Sequence, residues 1–133
     1  MDKKFTNRIK NAIRRLSWSW EPYTKVKNAA KVDKALHECC LCFKYCYGGK
    51  SEKNLTILKE KYKLKEVAME KIYIDHIDPV ESVEDGYVDL NTFAERLFCG
   101  EENLQPLCKT CHDAKSKEEN AKRRTNKKRK TNG

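Results

Sequence analysis

The pair Cys108-x-x-Cys111 constrains this chain more than any other feature. A two-residue gap lets two thiolates meet one tetrahedral ion, and a closed site needs two more ligands. Cys39-x-x-Cys42 has the same spacing and is the expected partner. Cys40 and Cys46 compete for that role, because Cys42-x-x-x-Cys46 is also an allowed spacing. Four thiolates on one zinc leave no position for a substrate, so the expected job is structural. It ties the 39–42 knuckle to the start of a C-terminal helix across a long insertion. Zinc binding then adds roughly 10 kcal/mol or more to folding.

The chain needs such a staple. Its 133 residues are 38% hydrophobic and 37% charged, which predicts a thin core in one domain. Seven cysteines without a secretory signal at the start argue against a disulfide framework. No apolar run reaches membrane-span length. The expectation is a soluble cytoplasmic protein, with Cys99 and the leftover knuckle cysteines buried as small apolar residues.

Charge is uneven. Residues 1–31 hold nine Lys/Arg against two acids, and residues 115–133 hold the same. The middle, 32–114, holds eleven against sixteen. Basic ends around an acidic centre favour a phosphate-backbone partner over a merely solvated face. The expected phosphate contacts are Arg8, Arg14, Arg15, Lys115, Lys117, Arg123 and Arg124.

Apolar spacing predicts an amphipathic basic helix over 3–16, ending before Glu21-Pro22. Trp18 and Trp20 are expected to pack rather than to stack on bases. A second helix is expected over 23–36, and a short one over 53–66. Lys71–Asp75 alternates and reads as a strand that delivers Asp75 and His76 at its end. Asp89 or Asn91 caps a helix over 90–98, with Gly100 as a terminator. Leu104–Leu107 is short and extended. A helix starts at Lys109, and the tail from Thr125 is expected to be disordered.

Two of the three histidines flank this framework. Asp75 offers hard oxygen, suited to Mg²⁺ or Mn²⁺. The histidine side chain titrates near neutrality as a class, so His76 can take a proton from water. His112 directly follows a zinc ligand and is placed to serve a second metal. Two protein ligands leave positions open for phosphate and water. Singly, each residue has an ordinary reading: Asp75 as a cap, Asn103 as a turn residue, His112 as a zinc ligand replacing a cysteine. Their joint spacing around two Cys pairs favours the hydrolytic reading.

Asp75-His76-Ile77-Asp78-Pro79, Glu102-Asn103-Leu104-Gln105-Pro106-Leu107-Cys108 and Cys111-His112-Asp113-Ala114-Lys115 resemble the HNH endonuclease motif, specifically its zinc-containing, bacteriophage-type members. Arg96–Cys99 and the basic, Trp-containing N-terminal region are similar too. The resemblance implies an α+β fold: a small ββα-metal core with a structural zinc clamp, flanked by basic helices. It implies a basic helical region at 1–36, a nuclease domain at 37–120 and a disordered basic tail at 121–133. It implies that His76 is the general base, that Asp75 and His112 bind a catalytic divalent metal, and that Asn103 holds the loop carrying the base. The implied products carry 5′-phosphate and 3′-hydroxyl ends. Some members have a further His four residues beyond the third motif residue; here that position is Ser116, which favours Mg²⁺ or Mn²⁺. The expected partner is double-stranded DNA, with phage packaging proteins as further candidates. Two alternatives remain: a non-catalytic zinc-stabilised DNA-binding or genome-packaging accessory protein, and an RNA-binding zinc ribbon.

Overall fold

The computed structural model describes the backbone of residues 1–132 and the side chains of residues 1–129. The architecture is α+β, with two small antiparallel sheets among five α-helices in the described residues. Helix α1 (Lys3–Ser17) starts where the Asp2 carboxylate accepts the Phe5 N–H. Helix α2 (Glu21–Ala29) follows, with proline in its first turn, where a missing N–H costs nothing. Strands β1 (Lys31–Asp33), β2 (Leu36–Glu38) and β3 (Tyr45–Tyr47) form a three-stranded meander. Helix α3 (Glu52–Tyr62) is capped by Ser51 and ends at Lys63 in the left-handed region.

Strand β4 (Tyr73–His76) pairs antiparallel with β5 (Leu104–Leu107), setting Tyr73 opposite Leu107, Asp75 opposite Gln105 and His76 opposite Leu104. Between them lies α4 (Leu90–Leu97), whose Asp89 cap accepts from the Thr92 N–H. Helix α5 (Lys109–Asn132) leaves directly from β5. Among the described residues, no helix is long and apolar enough to cross a membrane.

The core is divided, as the low apolar content requires. One cluster joins Cys39, Cys46, Ile72, Leu107 and Cys108 under the cysteine pairs. A second joins Leu36, Tyr47 and Leu58, and seats α3 on the meander. The long segment between Cys42 and Asp75 is therefore a folded addition, whose return is stitched to β3 through the Tyr47 N–H to Ala68 O bond. Phe93 and Leu97 bury the inner face of α4. Helix α1 lies over that end, with Lys10 above the rings of Tyr87 and Phe93 and paired with Glu81.

Four expectations need correction. The helix expected over 23–36 ends at Ala29, and 31–38 forms a hairpin. Val32 and Leu36 supply apolar positions that suit either period, and burial of Leu36 against Tyr47 decides for strand. The helix expected over 53–66 ends at Tyr62. The tail from Thr125 is helical rather than disordered, because α5 is tied down from its side: Arg123 donates to Glu81 O and the Asn126 amide donates to Val83 O at 2.7 Å. Gly133, the last residue of that expected tail, lies outside the described residues. Gly100 does not end α4, which closes at Phe98; it caps the 3₁₀ turn Glu101–Asn103.

Asp33 anchors α3 to β1. Its carboxylate accepts the Tyr62 hydroxyl at 2.7 Å and Lys61 Nζ at 3.0 Å. The Tyr62 bond above all, then the Lys34 N–H and Lys61, holds its pKa at about 2. A carboxylate depressed on folding stabilises above its unfolded value, and that gain disappears as pH falls toward the folded value. Asp33→Asn is therefore expected to lower the denaturation midpoint at neutral pH. The gap to wild type is expected to narrow once pH drops below about 4. Urea melts of both proteins across pH check this; a gap that ignores pH would contradict the anchor.

Candidate metal site and polar cleft

The Sγ atoms of Cys39, Cys42, Cys108 and Cys111 all lie within 4.8 Å of one another. This is the set expected from the two Cys-x-x-Cys pairs, and Cys40 and Cys46 stand outside it. A tetrahedral ion with Zn–S bonds of about 2.3 Å needs sulfurs roughly 3.8 Å apart; Cys42 and Cys108 sit at 3.6 Å. The knuckle is shaped for this by backbone bonds from Phe43 N to Cys39 O and from Cys39 N to Lys44 O. Phe43 takes the turn at φ 61°, a left-handed conformation that a side chain adopts at a cost. Cys40 N donates to Pro106 O at 3.0 Å, which docks the knuckle on β5.

Burial pushes Cys108 and Cys111 up, and the Cys39 and Cys42 sulfurs push both further, Cys111 well above the ordinary thiol range. Cys39 also meets burial, but backbone N–H groups including that of Cys42 bring it down to about 6. Four sulfurs this close share negative charge only around a positive ion, so the cluster could hold a structural metal such as zinc. Of the other cysteines, Cys46 is buried and its thiol pushed up to about 12, chiefly by desolvation. Cys40, expected as buried, is exposed, with its Sγ near Gln105 Oε1 at 3.7 Å.

Beside the cluster opens a polar cleft of about 300 Å³, lined by Asp75, His76 and His112 together with Arg14, Glu119 and Arg123. Adjacent strand residues point to opposite faces, and here they take different partners. Asp75 is buried; its Oδ2 accepts Gln105 Nε2 at 3.0 Å and pairs with Lys115 Nζ at 3.1 Å. The His76 ring turns the other way, with Nε2 2.9 Å from Leu97 O. A carbonyl oxygen only accepts, so Nε2 carries the proton and Nδ1 is left as the basic atom.

Asn103 locks the loop that leaves His76. Its Oδ1 accepts the Asp78 N–H at 2.8 Å, its Nδ2 donates to Asp78 O at 3.1 Å, and its own carbonyl accepts the Ile77 N–H at 2.8 Å. His112 stands in the first turn of α5, its N–H on Cys108 O at 2.9 Å. Its ring stacks on Tyr73 with centroids 5.1 Å apart and planes 20° from parallel. The cysteine pair and the histidine thus share one helical turn, and His112 contributes to the cleft rather than to the four-sulfur cluster.

The basic residues fall into two groups. Lys117 and Arg124 on α5, and Arg8 and Arg15 on α1, are exposed. Arg14 lies over the Phe93 ring at the rim of the cleft. Lys115 and Arg123 make bonds within the fold. Lys115 Nζ meets Asp75 Oδ2, His76 O at 2.9 Å and Glu119 Oε2 at 3.0 Å. Arg123 Nε donates to Glu81 O at 3.2 Å. Sequence reasoning missed Gln105, Glu119 and Tyr73. Lys115 and Glu119 carry a signal in their i, i+4 spacing. The others become visible only once β4 is paired with β5.

No protein-family model, curated protein or solved structure compared with this chain matches it.

Cys108→Ser is expected to lose bound zinc and cooperative unfolding, whereas Cys40→Ser keeps both. Metal content by mass spectrometry and thermal melts by circular dichroism test the pair. A folded, zinc-loaded Cys108→Ser protein would contradict the four-sulfur cluster.

Proposed function

We propose that this protein is a metal-dependent HNH-type endonuclease that hydrolyses DNA phosphodiester bonds, with a ββα-metal core formed by β4, β5 and the first turns of α5. The observation that carries the reading is the convergence of Asp75, His76 and His112 on one polar cleft, with Asn103 holding the loop behind His76. Asp75 and His76 belong to one motif and His112 to another, and the pairing of β4 with β5 beside the start of α5 brings the two together.

A catalytic divalent cation would be held by Asp75 and His112. Their chemistry fits a hard ion such as Mg²⁺ or Mn²⁺, since both described bonds to the Asp75 carboxylate fall on Oδ2. When bound, such an ion polarises the scissile phosphate and stabilises the leaving 3′ oxygen. His76 accepts the proton of the attacking water at Nδ1. Its Nε2–H bond to Leu97 O fixes the ring and supports the imidazolium that forms. Lys115 keeps the Asp75 carboxylate oriented and braces the His76 carbonyl. Tyr73, stacked on His112, limits rotation of that imidazole. The exposed Arg8, Arg15, Lys117 and Arg124 supply a salt-dependent grip on the phosphate backbone of double-stranded DNA. The four cysteines hold structural zinc in this reading.

His76→Ala is expected to lower Mg²⁺- or Mn²⁺-dependent plasmid nicking by about 10²–10⁴-fold while DNA binding survives. Full activity in that variant, or no cleavage by wild type with any divalent metal, would sink the proposal. Asn103→Ala is expected to lose activity through the loop, with amide exchange at Ile77 and Asp78 accelerating; unchanged exchange there would remove its positioning role.

A further inference from the structure

Trp18 does not pack as its sequence context suggested. It ends α1 with its side chain largely in solvent, 64% exposed. Trp20, by contrast, is tied in, its indole N–H on Cys99 O at 2.8 Å and its ring edge-on to Phe98. Trp18 instead opens onto a groove of about 670 Å³ whose other walls include Tyr23 and Lys27 of α2, and Lys71 and Tyr73 at the start of β4. Tyr73 is 38% exposed, and its ring stacks on His112 of the polar cleft, so a single stacked pair stands between the groove and the cleft.

We propose that this groove is a stacking platform for unpaired bases of a single-stranded stretch of DNA adjoining the cleavage cleft. The inference rests on the nuclease reading for its choice of DNA, and it refines the substrate to duplex with a neighbouring unpaired segment. Three aromatic side chains line one groove with two lysines, both exposed. A groove that combines positive charge with aromatic rings binds single strands, because every base has a face to stack and every nucleotide a phosphate to neutralise. A closed duplex hides its base faces and offers aromatics nothing comparable. The one acidic lining residue, Glu70, has its Oε1 engaged by the Lys109 N–H at 2.9 Å. Charge complementarity thus favours a polyanion over an apolar protein segment.

The test is binding of short oligo(dT), in buffer without divalent metal or chelator, so that cleavage is silent and zinc stays in place. Wild type is expected to bind about tenfold or more tightly than Trp18→Ala, the range stacking on one ring gives. Trp18→Tyr is expected to retain most of the affinity. Binding is expected to quench tryptophan fluorescence in wild type and not in Trp18→Ala. A blunt duplex of the same length is expected to bind both proteins alike. Equal affinity of wild type and Trp18→Ala for oligo(dT), or an equal loss on the duplex, would overturn the platform. A larger Trp18-dependent gain for oligo(U) would assign the groove to RNA and overturn its assignment to DNA. Plasmid cleavage is read separately: if wild type fails to cut, the nuclease reading falls while a Trp18-dependent oligo(dT) affinity still establishes the platform.

Discussion

The mutual approach of four cysteine sulfurs is the constraint on which the rest of the molecule depends. Cys39 and Cys42 belong to the knuckle between β2 and β3, and Cys108 and Cys111 to the junction of β5 and α5. Without a bond between these regions, little apolar surface would hold them together: the cluster beneath contains three cysteines, one isoleucine and one leucine as its buried members. A bound structural metal supplies on the order of 10 kcal/mol, comparable to the whole stability of a small domain. The same junction sets where His112 stands, because the residue after the last sulfur ligand has little freedom left.

Electrostatics explains why an acidic centre sits between basic ends. Asp75 and Glu119 would repel each other across the cleft, and Lys115 lies between them with contacts to both. Its side chain is mostly covered, 20% exposed, so the attraction is less screened than at an open surface pair. Lys10 and Arg123 perform a similar service at Glu81, one through the carboxylate and one through the carbonyl. Part of the basic charge in α1 and α5 therefore stabilises the centre, and the part left on the surface is what remains for a polyanionic partner.

Much of this was legible in sequence where one residue type has one strong physical use. Asp89 caps a helix, the alternation before Asp75 makes a strand, and the Cys-x-x-Cys pairs find each other. Asn103 bonds the backbone after His76. Reading failed where tertiary contacts override local pattern. The 31–38 hairpin looked helical because Val32 and Leu36 fit both periods, and only the meander resolves them. The end of α5 looked disordered because its composition is basic and polar, yet its anchors, Arg123 and Asn126, bond to carbonyls some forty residues away. Trp18 looked like a packing residue because its neighbour Trp20 is one.

The central claim is that the four sulfurs form one closed metal shell while His112, the next residue, is left to the cleft. X-ray absorption at the zinc edge of the purified protein tests it most directly. The account predicts four sulfur scatterers at about 2.3 Å and no nitrogen. A shell of three sulfurs and one imidazole nitrogen would place His112 on the structural ion, take it from the cleft and contradict the account.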